Sequence, residues 1–246
     1  MPHKQIFSIL DNVESTNNYA MQQVREEMAI NGQAWFAKNQ WGGKGQRGKT
    51  WESEPAQNII LTIALQPHKL FFAYPYIFSS TIANICRQFF EELAEQETKI
   101  KWPNDIYCSD RKAGGILIEN IYTGNNWQWA IVGIGINVNQ TIFAPENQNA
   151  QSLKLLTGKK FDSVELAEKL HQKCILFFEK IDINTLENSL KELNDFLYKK
   201  NELVKLKKDN VIFETTIKAV NKFGQLITED GIHRVFEVGE VVFLNN

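Results

Sequence analysis

The sequence is poor in the residues that build disulfide frameworks and metal sites. Its three cysteines, Cys86, Cys108 and Cys174, form no Cys-x-x-Cys pair, and its four histidines stand far apart. Structural zinc sites need closely spaced cysteine or histidine ligands, and a disulfide scaffold needs an even set of cysteines. We therefore predict reduced core cysteines and no protein-bound metal.

Also missing are a long apolar run and a strong excess of one charge. No segment approaches the length of a membrane-spanning helix, and the first residues form no apolar signal region. Lys and Arg number 27 against 29 Asp and Glu, which gives a net charge of −2. This balance argues against nucleic acid or a membrane as the main partner. We expect a cytoplasmic globular protein.

The sequence does contain alternating strand-like and helix-like segments, which predict an α+β fold. Apolar alternation predicts strands at residues 6–10, 33–38, 58–65, 112–119 and 127–138. Helical spacing predicts a helix capped by Ser15 or Thr16 that ends near Gly32, a core helix opened by Pro75, and helices at 163–181 and 185–200.

After residue 202 the pattern changes to short strand-like runs separated by turn residues. Six such runs lie at residues 203–206, 211–213, 216–220, 225–228, 235–238 and 241–244. Closely spaced short strands are typical of a small antiparallel barrel. We therefore predict two domains, residues 1–196 and 197–246, joined without a flexible linker.

A glycine-rich cationic loop at residues 40–51 follows the second predicted strand. Glycines let backbone N–H groups converge on an anion, and Lys44, Arg47 and Lys49 add positive charge, so a phosphate ligand accounts for this composition best. A flexible linker is the alternative that glycine content alone would favour. Residues 43–50 also spell the nucleotide-binding P-loop, but a P-loop leads into a helix and this loop leads to another strand.

Three other segments have both a structural and a ligand-binding interpretation. Ser15 and Thr16 are natural helix caps, and a helix N-terminus also presents such hydroxyls to a ligand. Asp105 follows a Pro-Asn turn at the point where an apolar strand resumes. Gly133 and Gly135 lie inside a predicted strand, where glycines mark either a sheet bend or the close approach of a ligand. The glycine loop, the pair Gly114-Gly115 and this strand together suggest a flat ligand lying against bare backbone.

In this order the segments resemble the motifs of biotin protein ligases. The resemblance rests on Ser15-Thr16-Asn17, the loop from Gln40 to Trp51, the segment Lys101-Trp102-Pro103-Asn104-Asp105, the segment from Lys112 to Leu117, and the segment from Gly133 to Asn137. It covers nearly the whole chain. It implies a mixed sheet flanked by helices, similar to class II aminoacyl-tRNA synthetase cores, with a C-terminal SH3-like barrel.

The resemblance also implies an activity. Members of the family join biotin to ATP as biotinyl-5′-AMP, release pyrophosphate, and transfer the biotinyl group to a lysine of a carboxylase's biotin carboxyl carrier domain. Mg²⁺ is expected with ATP, held mainly by phosphate groups rather than by a protein cage. Relatives without a DNA-binding domain are often dimers, so a homodimer is a further expectation.

Residue roles follow from the same resemblance. The expected catalytic residues are Lys112 between the biotin carboxylate and the α-phosphate, Arg47 at the phosphates, and Asp105 beside the incoming lysine. The residues expected to contact biotin are Ser15, Thr16, Asn17, Gln40, Gly43, Gly45, Gln46, Arg47, Lys112, Gly115, Gly133 and Gly135. The residues expected to contact ATP are Lys44, Arg47, Trp51, Asn104, Lys112 and Asn137.

Gln46 departs from the family pattern. It stands where many members carry the second arginine of a Gly-Arg-Gly-Arg-Arg-Gly loop. An amide forms hydrogen bonds but does not neutralise a phosphate, so we expect weaker retention of biotinyl-AMP unless Arg47 and Lys44 compensate. We also expect residues 42–48 to form a lid that becomes ordered when the ligand binds.

Two alternative functions follow from related proteins. A lipoate or octanoate protein ligase has a similar fold, but a dithiolane or an alkyl chain would leave Ser15, Thr16 and Gln40 without partners, at a cost. A non-catalytic, biotin-binding regulator is the other alternative. Repressors in the family carry an added helix-turn-helix domain, and no recognition-helix pattern precedes the motif at Ser15. The combination of Lys112, Arg47 and Asp105 favours an enzyme.

Overall fold

The computed structural model describes residues 6–244, which form two sheets and five α-helices. The first sheet contains β1 (Phe7–Val13), β2 (Gln33–Gln40), β3 (Ile59–Leu65), β4 (Thr98–Lys101), β5 (Asp105–Cys108), β6 (Arg111–Thr123) and β7 (Asn126–Ile136). The second contains β8 (Leu203–Lys208), β9 (Val211–Val220), β10 (Leu226–Glu229), β11 (His233–Phe236) and β12 (Val242–Phe243). The helices are α1 (Thr16–Arg25), α2 (Pro75–Ala94), α3 (Leu153–Thr157), α4 (Ser163–Phe178) and α5 (Ile183–Asp195).

The first sheet is mixed and has the strand order β1-β2-β3-β7-β6-β5-β4. Only β1 and β2 pair in parallel within the described residues, and the other neighbours are antiparallel. Every residue of β3 is buried, as its nearly uninterrupted apolar sequence predicts. β7 lies between β3 and β6, so Gly133 and Gly135 occupy the middle of the sheet.

The core helix predicted to begin at Pro75 is α2, and Pro75 occupies its first turn. Proline suits this position because a helix leaves its first N–H groups without intrahelical partners. The apolar side chains of α2 pack against the sheet, and Phe78, Ile82 and Phe90 are fully buried. This packing holds β4 and β5 beside the rest of the sheet.

Some predicted boundaries were wrong. α1 ends at Arg25 rather than near Gly32, because Glu27 adopts a left-handed backbone conformation with φ of 56°. The runs predicted at 211–213 and 216–220 form the single strand β9, since the intervening Thr215 is buried and pairs with Val204 of β8. Five strands therefore replace the predicted six.

The C-terminal sheet is antiparallel and has the order β11-β10-β9-β8-β12. Among residues 6–244 its two end strands do not pair with each other, so the hydrogen-bond ladder remains open. The division at residues 196 and 197 stays a prediction, and residues 1–5 and 245–246 of the two predicted domains lie outside the described part.

The chain between α5 and β8 attaches the second sheet next to the turn that carries Asp105. Leu197 forms a parallel bridge with Ile100 of β4. The buried Trp102 indole donates a hydrogen bond from Nε1 to the carbonyl oxygen of Gly224 at 2.8 Å. The C-terminal sheet is therefore tied directly to the Lys101–Asp105 segment.

No helix in the described part of the chain is long and apolar enough to cross a membrane.

This attachment predicts that Trp102→Phe destabilises the protein. The substitution leaves the Gly224 carbonyl without its donor, so we expect the free energy of unfolding to fall by about 1–2 kcal/mol. Urea denaturation measures the change. Trp41→Phe is the matched control, because Trp41 is 67% exposed, and it should change stability by less than about 0.5 kcal/mol. Equal unfolding midpoints for the two variants would contradict this role of Trp102.

Candidate active site

A cleft of about 630 Å³ lies over the face of the first sheet. Its walls are the N-terminus of α1, the glycine loop (residues 40–51), the turn between β4 and β5, the bare middle of β7, and the segment from Val238 to Phe243. Sixteen of the predicted site residues line it. They are Ser15, Thr16, Asn17, Gln40, Lys44, Gly45, Gln46, Arg47, Trp51, Asn104, Asp105, Lys112, Gly115, Gly133, Gly135 and Asn137.

Gly43 is the predicted site residue that does not line the cleft. It is buried at the base of the glycine loop, where its carbonyl oxygen accepts a hydrogen bond from the backbone N–H of Trp51. A Cβ at this position would lie 2.2 Å from the Trp51 carbonyl oxygen and 2.6 Å from Nε2 of Gln40. Gly43 therefore serves the packing of the loop.

The residues at the N-terminus of α1 both cap the helix and line the cleft. Ser15 is the N-cap, and its hydroxyl accepts a long hydrogen bond from the N–H of Asn18. The N–H of Thr16 donates to Oε1 of Gln40 at 2.8 Å, which leaves the amide nitrogen of Gln40 as a donor. Both Ser15 and Thr16 are buried at the cleft. This end of the cleft is thus polar and already organised by the protein.

The glycine loop forms a folded hairpin-like turn. The N–H of Gly45 donates to the carbonyl of Lys49, and Lys44 bridges to Thr50. Two side chains connect the loop to its surroundings. Nζ of Lys44 donates to Oδ1 of Asn18 in α1 at 2.6 Å, and Nη1 of Arg47 donates to the carbonyl of Gly239 at 2.7 Å. The loop therefore spans from α1 to the C-terminal sheet, and its ordering by a ligand stays a prediction.

Trp51 forms an apolar wall against the bare face of the sheet. A Cβ on Gly135 would lie 2.4 Å from Cε2 of Trp51, and a Cβ on Gly115 would lie 3.2 Å from its Cζ3. Only glycine allows the indole to lie this close to β7. The buried indole Nε1 of Trp51 has no protein acceptor. Because such a donor is costly to leave unpaired, it is well suited to a polar group of a ligand.

Asp105 and Lys112 form an ion pair on the floor of the cleft. Nζ of Lys112 lies 2.8 Å from Oδ1 of Asp105, and the two side chains are 34% and 24% exposed. β5 and β6 are neighbours, which places the two residues together although seven positions separate them. A partly exposed pair of this kind contributes only about 0–1 kcal/mol. Breaking this ion pair, so that the Lys112 ammonium can contact an anionic ligand instead, therefore costs little free energy.

Asn104 and Asn137 hold the backbone around this pair. Nδ2 of Asn104 donates to the carbonyl of Ile116 at 2.6 Å. Nδ2 of Asn137 donates to the carbonyls of Gln151 at 3.0 Å and Lys112 at 3.3 Å. Asn137 commits both N–H groups of its amide to the protein, and Asn104 commits one. The contact of either residue with ATP stays a prediction.

Lys101 is a cleft residue to which the sequence assigned no role. Its ammonium lies 3.1 Å from the hydroxyl of Tyr107 and within 6 Å of the rings of Tyr107, Tyr198 and Phe243. Burial lowers the pKa of Lys101, and the nearby carboxylate of Asp105 partly opposes that effect. Tyr198 and Phe243 come from beyond the first sheet, so no local pattern in the sequence indicates this environment.

Thr62 and Glu119 are two further residues that the sequence analysis missed. Thr62 is fully buried in β3 and lies 2.8 Å from the hydroxyl of Thr16. Glu119 in β6 accepts a hydrogen bond from Nδ2 of Asn17 at 2.9 Å. The one feature of the sequence that could have indicated Thr62 was its polarity within the apolar run of β3.

In residues 6–244 no group of three or more His, Cys, Asp or Glu side chains could hold a metal ion.

Comparison with known proteins identifies the family. Residues 9–137, just over half of the chain, match the model of the biotin/lipoate A/B protein ligase family. The chain belongs to this family, as the sequence motifs predicted.

Two curated relatives illustrate the similarity. The bifunctional ligase/repressor BirA of Salmonella typhimurium is 28% identical over 241 residues, covering 95% of this chain and 73% of the relative. The biotin–[acetyl-CoA-carboxylase] ligase of Paracoccus denitrificans is 30% identical over 138 residues, covering 53% of each chain.

Solved structures share the fold over nearly the full length. Biotin protein ligase from Aquifex aeolicus in complex with biotin and ATP superposes with a TM-score of 0.81 at 24% identity, covering 98% of this chain and 100% of the other. Biotin protein ligase from Leishmania major in complex with biotinyl-5-AMP has a TM-score of 0.61 at 22% identity, covering 98% of each chain. The predicted biotin-ligase-like fold is confirmed.

The contact between Gly135 and Trp51 makes a testable prediction. Gly135→Ala inserts a methyl group into the indole, so we expect a loss of about 1–3 kcal/mol of stability. In a Trp51→Ala background the same change should cost at least about 1 kcal/mol less, because the clash is gone. Thermal and urea denaturation of the four proteins give this coupling. The exposed Trp41 provides the control cycle, in which Trp41→Ala and Gly135→Ala should be additive, and additivity in both cycles would contradict the contact.

Proposed function

We propose that this chain is an ATP-dependent biotin protein ligase, which activates biotin as biotinyl-5′-AMP and transfers it to a lysine of a carboxylase's biotin carboxyl carrier domain. The observation that carries the proposal is the arrangement within one cleft. A polar end at Thr16 and Gln40 is joined to the Lys112–Asp105 ion pair beneath the indole of Trp51. The names of the relatives support the same activity.

The polar end of the cleft suits the ureido ring of biotin. Gln40 lines the cleft and keeps its amide nitrogen as a donor, and Ser15 and Thr16 bring buried hydroxyls to the same end. A cyclic urea presents both N–H donors and a carbonyl acceptor, so it can pair with such groups. Lipoate and octanoate offer no equivalent at that end, and buried polar groups left unpaired would weaken their binding.

In the first step a carboxylate oxygen of biotin attacks the α-phosphorus of ATP, and the bond to pyrophosphate breaks. Lys112 lies where its ammonium can leave Asp105 and contact both the biotin carboxylate and the α-phosphate. Arg47, Lys44 and the loop N–H groups supply positive charge for the phosphates. Preorganised donors of this kind stabilise the charge that develops during transfer. Mg²⁺ would accompany ATP and be held mainly by its phosphates.

In the second step the amine of the carrier lysine attacks the carbonyl carbon of biotinyl-AMP, and AMP leaves. That amine is mostly protonated near neutral pH, so it must lose a proton before attack. Asp105 can orient the ammonium or accept its proton once Lys112 has turned to the ligand. The carrier domain is the proposed protein partner, and the homodimer stays a prediction.

Competition between acids tests the proposed function. The protein is incubated with ATP, Mg²⁺ and an equimolar mixture of biotin, lipoate and octanoate, and the acyl-adenylates are separated by mass. We expect biotinyl-AMP to exceed the other adenylates by about a hundredfold or more, because only biotin satisfies the polar end. Failure to form biotinyl-AMP, or a preference for lipoate, would overturn the proposal.

Separating the two half-reactions tests the role of Asp105. We expect Asp105→Ala to slow transfer to the carrier about a hundredfold, and adenylate formation by less than about tenfold, because its carboxylate acts on the amine. Single-turnover assays measure both rates. The control is Asp110→Ala, in the neighbouring turn, whose side chain is 68% exposed and which should affect neither rate. Equal losses in both half-reactions would refute the assignment.

The glutamine at position 46 leads us to expect that part of the biotinyl-AMP leaves the enzyme before transfer. Without an arginine at this position, we expect free biotinyl-AMP to pass through an ultrafiltration membrane during turnover, and Gln46→Arg to reduce that fraction several-fold by restoring a phosphate contact. Gln172→Arg adds the same charge on the exposed surface of α4 and serves as the control. If Gln46→Arg and the control release as much as the parent protein, Arg47 and Lys44 already compensate.

A further inference from the structure

A chain of hydrogen bonds, partly buried at its first link and buried at the others, runs behind the polar end of the cleft. It begins at Glu119 in β6, passes through Asn17 and Thr62, and ends at the hydroxyl of Thr16. Asn17 and Thr16 are each 4% exposed, and Thr62 is fully buried. Thr62 pairs with Gly133 across β3 and β7, and the missing side chain of Gly133 gives Asn17 its place, because a Cβ there would lie 2.3 Å from Oδ1 of Asn17.

The first link fixes the orientation of the Asn17 amide. Oε2 of Glu119 lies 2.9 Å from Nδ2 of Asn17, and the carbonyl of Leu117 lies 3.4 Å from the same nitrogen. A carboxylate and a carbonyl only accept hydrogen bonds, so the amide must turn its nitrogen toward them. Its oxygen then faces the opposite way, toward Thr62.

The second link fixes the hydroxyl hydrogen of Thr62. Oγ1 of Thr62 lies 2.7 Å from Oδ1 of Asn17. Because the amide oxygen has no hydrogen, the single hydroxyl hydrogen of Thr62 lies in this bond. Toward its other neighbour, Thr62 can therefore only accept.

The last link sets the polarity of Thr16. The hydroxyl oxygens of Thr62 and Thr16 are 2.8 Å apart, so one hydrogen lies between them. Thr62 has already donated its hydrogen to Asn17, and the hydrogen must come from Thr16. The hydroxyl of Thr16 then has no hydrogen left for a ligand, and only its lone pairs face the cleft. The contact from Thr16 to Oε1 of Gln40, at 3.2 Å, is the longer and weaker choice for that hydrogen.

We propose that Glu119, Asn17 and Thr62 form a relay that fixes Thr16 as a hydrogen-bond acceptor and thereby selects acids that present an N–H donor at this position. Glu119 and Thr62 are positioning residues, since neither lines the cleft. The inference rests on the proposed function and deepens it, because the ureido N–H of biotin is such a donor. A ring oxygen or sulfur at the same place would face the Thr16 lone pairs and be rejected.

The polarity of the relay is open to reversal by one isosteric change. Glu119→Gln introduces an amide that can donate to Oδ1 of a turned Asn17. Because glutamine can accept as well as donate, both polarities of the relay then become available. A ligand that offers an acceptor can select the reversed one, in which Asn17 donates from Nδ2 to Thr62, Thr62 donates to Thr16, and the Thr16 hydrogen is free for the ligand. Thr62→Val removes the acceptor at 2.8 Å, so that only the longer contact to Oε1 of Gln40 competes with the ligand for the Thr16 hydrogen. Thr62→Ser keeps the hydroxyl and should preserve the original polarity.

The experiment compares biotin with the two cyclic carbamates in which either ureido N–H is replaced by oxygen. Calorimetry gives the affinities for the parent protein, Glu119→Gln, Thr62→Val and Thr62→Ser. We expect the parent to bind biotin at least about tenfold more tightly than one of the carbamates, because a buried acceptor would lose its donor. In Glu119→Gln and Thr62→Val this ratio should shrink at least threefold, and Thr62→Ser should retain it. Glu179→Gln, on the exposed C-terminal end of α4, is the matched charge control.

The ratio of the affinities for biotin and the carbamate distinguishes a change in the relay from a general distortion of the cleft. A loss of affinity that is equal for biotin and the carbamates, in both Glu119→Gln and Thr62→Val, would overturn the relay while leaving the biotin ligase intact. A parent protein that binds no biotin would instead overturn the proposed function. If Thr62→Val does not fold, Glu119→Gln decides by the same criterion, because its side chain is only half-buried.

Discussion

The bare face of β7 at Gly133 and Gly135 is the constraint on which the cleft depends. The missing side chains admit Asn17 at one position and the indole of Trp51 at the other. Asn17 brings the N-terminus of α1 down onto the sheet, and Trp51 brings the end of the glycine loop down beside it. The polar end and the apolar wall of the cleft therefore both depend on the absence of two side chains from one central strand.

The same arrangement explains why one site can serve two reactions. The ion pair of Lys112 and Asp105 is partly exposed and weak enough to open. In the proposed mechanism, the Lys112 ammonium turns to the anionic ligand, and the Asp105 carboxylate becomes available for the carrier amine. The attachment of the C-terminal sheet through Trp102 and Arg47 places a second wall against the same cleft. The proposal therefore places substrate activation and acceptor binding on one set of strands.

Much of the fold and the candidate site was predictable from the sequence. Local sequence patterns predicted the helix that begins at Pro75 and the strand that contains Gly133 and Gly135, and the order of the motifs identified the family. The length of α1 was not readable, because a left-handed Glu27 ends it without a glycine. The contacts of Thr62 and the aromatic rings around Lys101 were missed for a common reason. Their partners lie far away in the sequence, and only the folded chain brings them together.

The most direct test of a ligase that uses one cleft for both steps is a chase without ATP. The protein is loaded with labelled biotin and ATP, freed of unbound nucleotide by rapid gel filtration, and mixed with a purified biotin carboxyl carrier domain. The account predicts that labelled carrier and AMP appear in equal amounts from the bound adenylate. Bound biotinyl-AMP that does not react with the carrier, or release of AMP without labelled carrier, would contradict it.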